Sequence, residues 1–141
     1  MPAVLTDGDR GFLARPRLGF LTVAPAKPSG WPATRPVWFE HTDEGTVQLF
    51  SGADSPKVRR IQETPRASLL VANEVGEPEN WIVFVGPAEI KPDGANELAE
   101  RLGRRYWDLA DPEKAAALEG MLSGELVRIV IEPEKVTRYG G

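Results

Sequence analysis

Ser51-Gly52-Ala53-Asp54-Ser55-Pro56-Lys57-Val58-Arg59-Arg60-Ile61 is the stretch on which the reading of this chain turns. It starts at the end of an apolar run, Thr46 to Ser51, and passes through a glycine to Ser55-Pro56, an N-cap hydroxyl followed by proline at the first helical position. Val58 and Ile61 fall three apart on one face of a helix that runs to about Glu63 and stops at Thr64-Pro65. A strand end therefore leads into a helix start, with hydroxyls at Ser51 and Ser55 and cations at Lys57, Arg59 and Arg60. Free N–H groups and partial positive charge at a helix start attract anions, and Lys57 adds a compact full charge there. Arg35, on a neighbouring strand, would add a planar fork for phosphate oxygens. The same residues also fit a plainer reading, in which Ser55 caps the helix and the cations are solvated.

Strand signals lie on both sides of this segment. Arg17 to Ala24 is a short apolar and β-branched run closed by Pro25 to Gly30. Thr34 to Glu40 is strand-like, but Pro36 cannot donate a ladder bond and places it at an edge. Ala67 to Asn73, Trp81 to Val85 and Ala88 to Lys91 follow, with Gly86-Pro87 expected to bend the chain between the last two. Leu98, Leu102, Tyr106 and Leu109 recur at helical spacing, and a second helix is expected from Pro112 to Leu122. Leu126 to Glu132 alternates as a strand, with a short terminal one at Val136 to Tyr139. Strands in runs, interrupted by short helices, predict a mainly β, antiparallel barrel rather than a doubly wound sheet.

Composition narrows the function classes. The 141 residues fit one domain spanning 1–141, with 41% hydrophobic and 27% charged residues and no run near the roughly 20 apolar residues that cross a bilayer. A net charge of −4 argues against nucleic acid as a general partner. Met1 to Arg10 has no signal-peptide pattern and there are no cysteines, so a cytoplasmic setting is expected. Without cysteine, and with one histidine, neither a thiol nucleophile nor a His-rich metal site is expected. His41 lacks a nucleophile-elbow motif to partner it, and Asp43 and Glu44 read as turn residues. No catalytic acid or base stands out.

Taken in order, Arg35-Pro36-Val37-Trp38-Phe39, a strand ending in Phe50-Ser51, Ser55 to Ile61 and Thr64 to Val71 resemble the pyridoxamine 5′-phosphate oxidase-like split-barrel family. The resemblance spans about Leu18 to Ile90 and implies a six-stranded Greek-key split β-barrel with short helices. The family holds flavin mononucleotide (FMN) enzymes and deazaflavin F420-dependent reductases. By this resemblance Lys57 is the phosphate-binding lysine, Ser51 and Ser55 form its hydroxyl-bearing loop, and Arg35 is an accompanying cation. Val37, Trp38 and Phe39 match the strand whose backbone lies along the cofactor ring, and Trp81 and Gly86 match a later strand near the same pocket. Trp38, Phe50, Trp81 and Trp107 are candidates for its aromatic lining.

Glu40 stands where the oxidases proper carry a basic residue, and Arg138-Tyr139-Gly140 does not reproduce their substrate-phosphate signature. The resemblance therefore leans to the small reductase branch and to F420 over FMN. The carboxylate-rich tail of F420 would favour further cations such as Arg59, Arg60, Arg15 or Arg17. The implied protein is a homodimeric oxidoreductase with cofactor at the subunit interface, passing a hydride to or from a small organic molecule. The alternative is a non-enzymatic protein that stores or senses the same cofactor.

Overall fold

Alternation fixes the centre of the fold. In Ala67, Leu69 and Val71 every second side chain is buried, and the register sets Leu69 between Leu21 and Phe84 on its neighbours. The computed structural model describes residues 5–140, so the first four residues of the Met1 to Arg10 stretch lie outside it. In chain order the elements are α1 (Asp7–Leu13), β1 (Gly19–Val23), β2 (Thr34–Val37), β3 (Glu40–His41), β4 (Val47–Gly52) and α2 (Pro56–Glu63). There follow β5 (Arg66–Ala72), β6 (Trp81–Lys91), α3 (Ala95–Tyr106), α4 (Pro112–Leu122), β7 (Leu126–Ile131) and β8 (Lys135–Tyr139). Among the described residues no helix is long and apolar enough to cross a membrane.

All strand pairs are antiparallel, in the order β2-β1-β5-β6-β7-β4-β3, with β8 added on β6. The two ends of this path, β2 and β3, are consecutive in the chain and separated only by Trp38 and Phe39. The curled sheet is thus closed by covalent chain where it is not closed by ladder bonds. This is a split barrel, built from eight strands rather than the expected six. The expected strand Thr34 to Glu40 divides at Trp38-Phe39 because the chain there crosses from one sheet edge to the other, and the C-terminal segment forms a full strand on β6. The position of Pro36 in edge strand β2 agrees with its missing N–H.

Gly86-Pro87 does not interrupt β6, which runs through it unbroken. Instead β6 changes partners there: Trp81 to Pro87 pair with β5, and Ala88 to Lys91 pair with β7. The link from β7 to β8 crosses at this point, with Glu132 N–H donating to Pro87 O and Glu134 N–H to Val85 O, each 2.9 Å. A Cβ at residue 86 would overlap the Glu132 backbone carbonyl, so glycine is required by the crossing.

The core joins Leu21, Leu49, Leu69, Phe84 and Ile129 to Val58 and Ile61 from α2. Helix α1 has no counterpart among the elements expected from sequence. It is held by a reciprocal cap, Asp9 N–H to Thr6 Oγ1 (3.0 Å) and Thr6 N–H to Asp9 Oδ2 (2.8 Å). It is tied to β8 by Arg138, which donates to both Asp9 carboxylate oxygens.

Candidate functional site

β4 delivers Ser51 to the start of α2, where Ser51 is buried and paired with Val127 of β7. Ser55 holds the N-cap position in extended backbone, but its hydroxyl does not cap the helix. It meets the Ser51 hydroxyl instead, at 2.7 Å, while Ser51 Oγ donates to Gly52 O at 3.1 Å. Pro56 has no N–H, so the first backbone donor of α2 is that of Lys57, which lacks an intrahelical partner by geometry. Val58 and Ile61 anchor the helix in the core and leave Lys57 half-buried beside Ser51.

Burial pushes the Lys57 ammonium below its ordinary value, and the charge of Arg35 on β2 pushes it the same way. Among the described residues no carboxylate forms an ion pair with either cation. Two unpaired positive charges close enough to repel each other make a local field that favours an anion beside Lys57.

Lys57 and Ser51 lie at one side of a cleft of about 650 Å³, within the range of small-molecule sites. Val37, Trp38, Phe50, Met121 and Leu126 supply apolar walls, and Lys57 and Glu125 are its ionisable side chains. Trp38 is set in an aromatic cluster. Its ring is parallel to that of Tyr106 (5.4 Å between centroids, 6° between planes), perpendicular to Trp107 (4.6 Å) and edge-on to Phe50 (6.2 Å). The arrangement combines a cation and hydroxyls with apolar and aromatic walls in one cleft.

The structure gathers Val37, Trp38, Ser51 and Lys57 in this cleft, with Ser55 reaching it through Ser51 and Arg35 close enough to act on Lys57. It does not gather the rest. The Phe39 side chain is buried in the core, because residues 38 and 39 turn opposite ways as the chain crosses the split, which leaves its main chain for the backbone role that the resemblance implies. Arg59 is exposed, and Arg60 pairs with Glu63 at 2.9 Å. Arg15 and Arg17 are both engaged by Glu77, whose carboxyl the Arg17 guanidinium holds down to about 2. Trp81 stacks on Tyr139 at 6.0 Å, away from the cleft lining. His41 lies in β3 opposite Val47, its imidazole pushed below its usual value by burial and by Arg105 and Arg10.

Sequence reasoning missed Met121, Gly124 and Glu125, which the α3–α4 excursion carries to the cleft, and Leu126 and Leu18 beside them. No local signal marks Met121, because its place depends on how the excursion folds back. Tyr106 was legible only as one position of a helical apolar face.

Residues 5–139 match the family described as pyridoxamine 5′-phosphate oxidase. No curated protein matches the sequence. Among solved structures, the conserved hypothetical protein Rv2991 from Mycobacterium tuberculosis superposes with a TM-score of 0.74 at 21% identity, covering 96% of this chain and 85% of that one. An F420 reductase superposes with a TM-score of 0.70 at 23% identity, covering 94% of this chain and 98% of that one. HutZ, the heme storage protein from Vibrio cholerae, gives 0.68 at 14% identity, with coverages of 97% and 94%. At these identities the structures show a common fold, and the match over nearly the whole sequence shows more: this chain belongs to the pyridoxamine 5′-phosphate oxidase family of split barrels.

Proposed function

We propose that the protein is an oxidoreductase that binds FMN or F420 in the Lys57 cleft and serves hydride transfer with a small organic substrate, F420 being favoured. The observation that carries this reading is Lys57, a half-buried ammonium in the lining of an apolar cleft, with Arg35 near enough to act on it and no ion pair to either cation among the described residues. A phosphate suits that place. Lys57 Nζ, the Lys57 N–H, the Ser51 and Ser55 hydroxyls and Arg35 would hold it by charge-assisted hydrogen bonds. Val37, Trp38 and Phe50 would exclude water from a planar ring system. When bound, the flavin or deazaflavin supplies the hydride chemistry, and the protein supplies binding, orientation and dryness. The fold shared with an F420 reductase supports this reading.

The outer face of the sheet supports a homodimer. Pro36, Phe20, Leu70 and Val83 lie opposite one another across four strands, and Leu70 and Val85 are 37% and 43% exposed on that face. Pro36 also lines the cleft, so a second copy seated on this face would border the site.

A second reading, storage or sensing without turnover, is favoured by the shortage of acid–base groups in the cleft, where Lys57 and Glu125 are the ionisable side chains. Haem fits it less well than a flavin does, because the chain's one histidine, His41, is outside the cleft lining. Fluorescence titration with FMN and with F420 tests the shared claim. Dissociation constants weaker than about 100 μM for both, roughly 5 kcal/mol of binding, would refute it. Reduction and reoxidation of the bound cofactor by candidate substrates then separates the enzyme from the store.

A further inference from the structure

Trp38 and Phe39 occupy an unusual place in the sheet. They are the covalent crossing between its two edges, after the last β2 pair, Val37 with Gly19, and before the first β3 pair, Glu40 with Gln48. Both residues lie outside the two ladders, so neither ladder fixes their conformation, although Trp38 forms a wall of the cleft. One side chain supplies what the ladders do not. The Tyr106 hydroxyl accepts from the Phe39 N–H at 3.3 Å, lies 3.3 Å from Phe39 O, and donates to Arg17 O at 2.5 Å. The ring on the same side chain is stacked against Trp38. Tyr106 thus holds both the backbone of the crossing and the indole beside it.

Tyr106 is itself firmly placed. It ends α3, whose Leu98, Ala99 and Leu102 are buried. The helix is fastened by Arg101 to Glu40 at 2.8 Å, and by Arg105 donating to Leu13 O and Arg15 O at 2.8 and 3.0 Å. We propose that Tyr106 is a positioning residue that fixes Trp38 as a preformed wall of the cleft, acting through the hydroxyl that ties the β2–β3 crossing. The proposal rests on reading the cleft as the site of a planar ring. A wall already immobilised loses little freedom when a ligand arrives, and this is the advantage the hydroxyl confers.

The test is a double-mutant cycle of Tyr106→Phe and Trp38→Ala, read by titration with FMN, F420 and phosphate-free riboflavin. Tyr106→Phe keeps the stacked ring and removes only the hydroxyl, and is expected to weaken ring binding roughly 3- to 10-fold, the scale of one immobilised side chain. In the Trp38→Ala background the same substitution should have almost no effect. Equal losses in both backgrounds, or no loss in either, would overturn the proposal. Lys57→Met separates it from the cofactor reading, since a cleft that holds the ring but not the phosphate would leave Lys57→Met silent and the Tyr106–Trp38 coupling intact. If none of the three probes binds, near-ultraviolet circular dichroism decides. Tyr106→Phe should diminish the band that Trp38→Ala removes, and an unchanged band overturns the assignment.

Discussion

Replacing Lys57 by methionine should weaken the ligand complex and strengthen the empty protein, and the two effects have one cause. Methionine keeps most of the side-chain stem and removes the charge. In the folded protein burial, followed by the charge of Arg35, pushes the Lys57 ammonium below its ordinary 10.5. The folded chain therefore holds this proton less tightly than the unfolded chain does. At pH values below the folded value the charge costs stability, and the cost fades as pH rises from there toward 10.5. Relief of the repulsion from Arg35 alone corresponds to about 0.5 kcal/mol, and relief from burying the ammonium adds to it. For a domain of this size the Arg35 part alone is a rise of roughly 1 to 2 °C in the melting midpoint at pH 7. Binding should move the other way. Loss of a charge-assisted hydrogen bond costs about 1.5 to 3 kcal/mol, or roughly 10- to 150-fold in the dissociation constant for FMN or F420. Thermal melts of the ligand-free protein and fluorescence titrations measure the two quantities separately. A variant that melts several degrees lower and binds as tightly as the parent would show that Lys57 is a structural group and would refute the anion-grip argument.

Three further outcomes are expected. Gly86→Ala sets a methyl group on the Glu132 carbonyl at the β6 crossing and should cost about 3 kcal/mol by overpacking, read from the denaturant midpoint. The Arg17 guanidinium holds the Glu77 carboxyl at about 2 against an ordinary 4.5, so its contribution to stability is complete above pH 4.5 and fades as pH falls toward 2. Glu77→Gln should lack this component, and acid unfolding curves of the two proteins that differ only by a constant offset would contradict it. Leu70→Glu sets a charge in the middle of the exposed apolar row and should give a monomer by light scattering; a dimer of unchanged strength would move the interface elsewhere.

What could be read from the sequence was whatever is encoded locally. The alternation at Ala67 to Val71, the Ser55-Pro56 helix start and the helical spacing of Leu98, Leu102 and Tyr106 each report a periodicity that the structure reproduces. Helix α1 was also encoded, in the Thr6–Asp9 cap, but its seven residues are too few to show a repeating apolar face. The break at Trp38-Phe39 was not legible, because nothing in Val37-Trp38-Phe39-Glu40 distinguishes a straight strand from one that changes sheet edges. Tyr106, whose hydroxyl meets the Phe39 backbone at the crossing, is far along the chain. Ser55 was read as a helix cap because that is the common role of serine there. Its partner, the Ser51 hydroxyl, becomes available only when β4 and α2 are brought together. Arg15 and Arg17 were candidate anion ligands for the same reason, and Glu77, which engages both, is distant in sequence.

The pairing of Lys91 with Arg128 has a consequence for how such a site could be rebuilt. β6 and β7 are adjacent antiparallel strands, so everything between them, α3 and α4 included, leaves the barrel and returns to nearly the same point. A tight hairpin could join those two strands at Lys91 and Arg128, at the cost of the pairs of Val127 with Ser51 and Leu126 with Gly52. Lys57, Ser51 and Ser55 belong to the barrel and its plug helix, whereas Met121, Glu125 and the Tyr106 support of Trp38 arrive with the excursion or at its return. The cleft is thus assembled from two separate stretches of chain. The anion anchor and the Val37, Trp38 and Phe50 wall belong to the barrel, while Met121 and Glu125 come with the insertion. Grafting residues 92–125 from one split barrel onto another should transfer ligand preference while leaving the host's anion anchor in place.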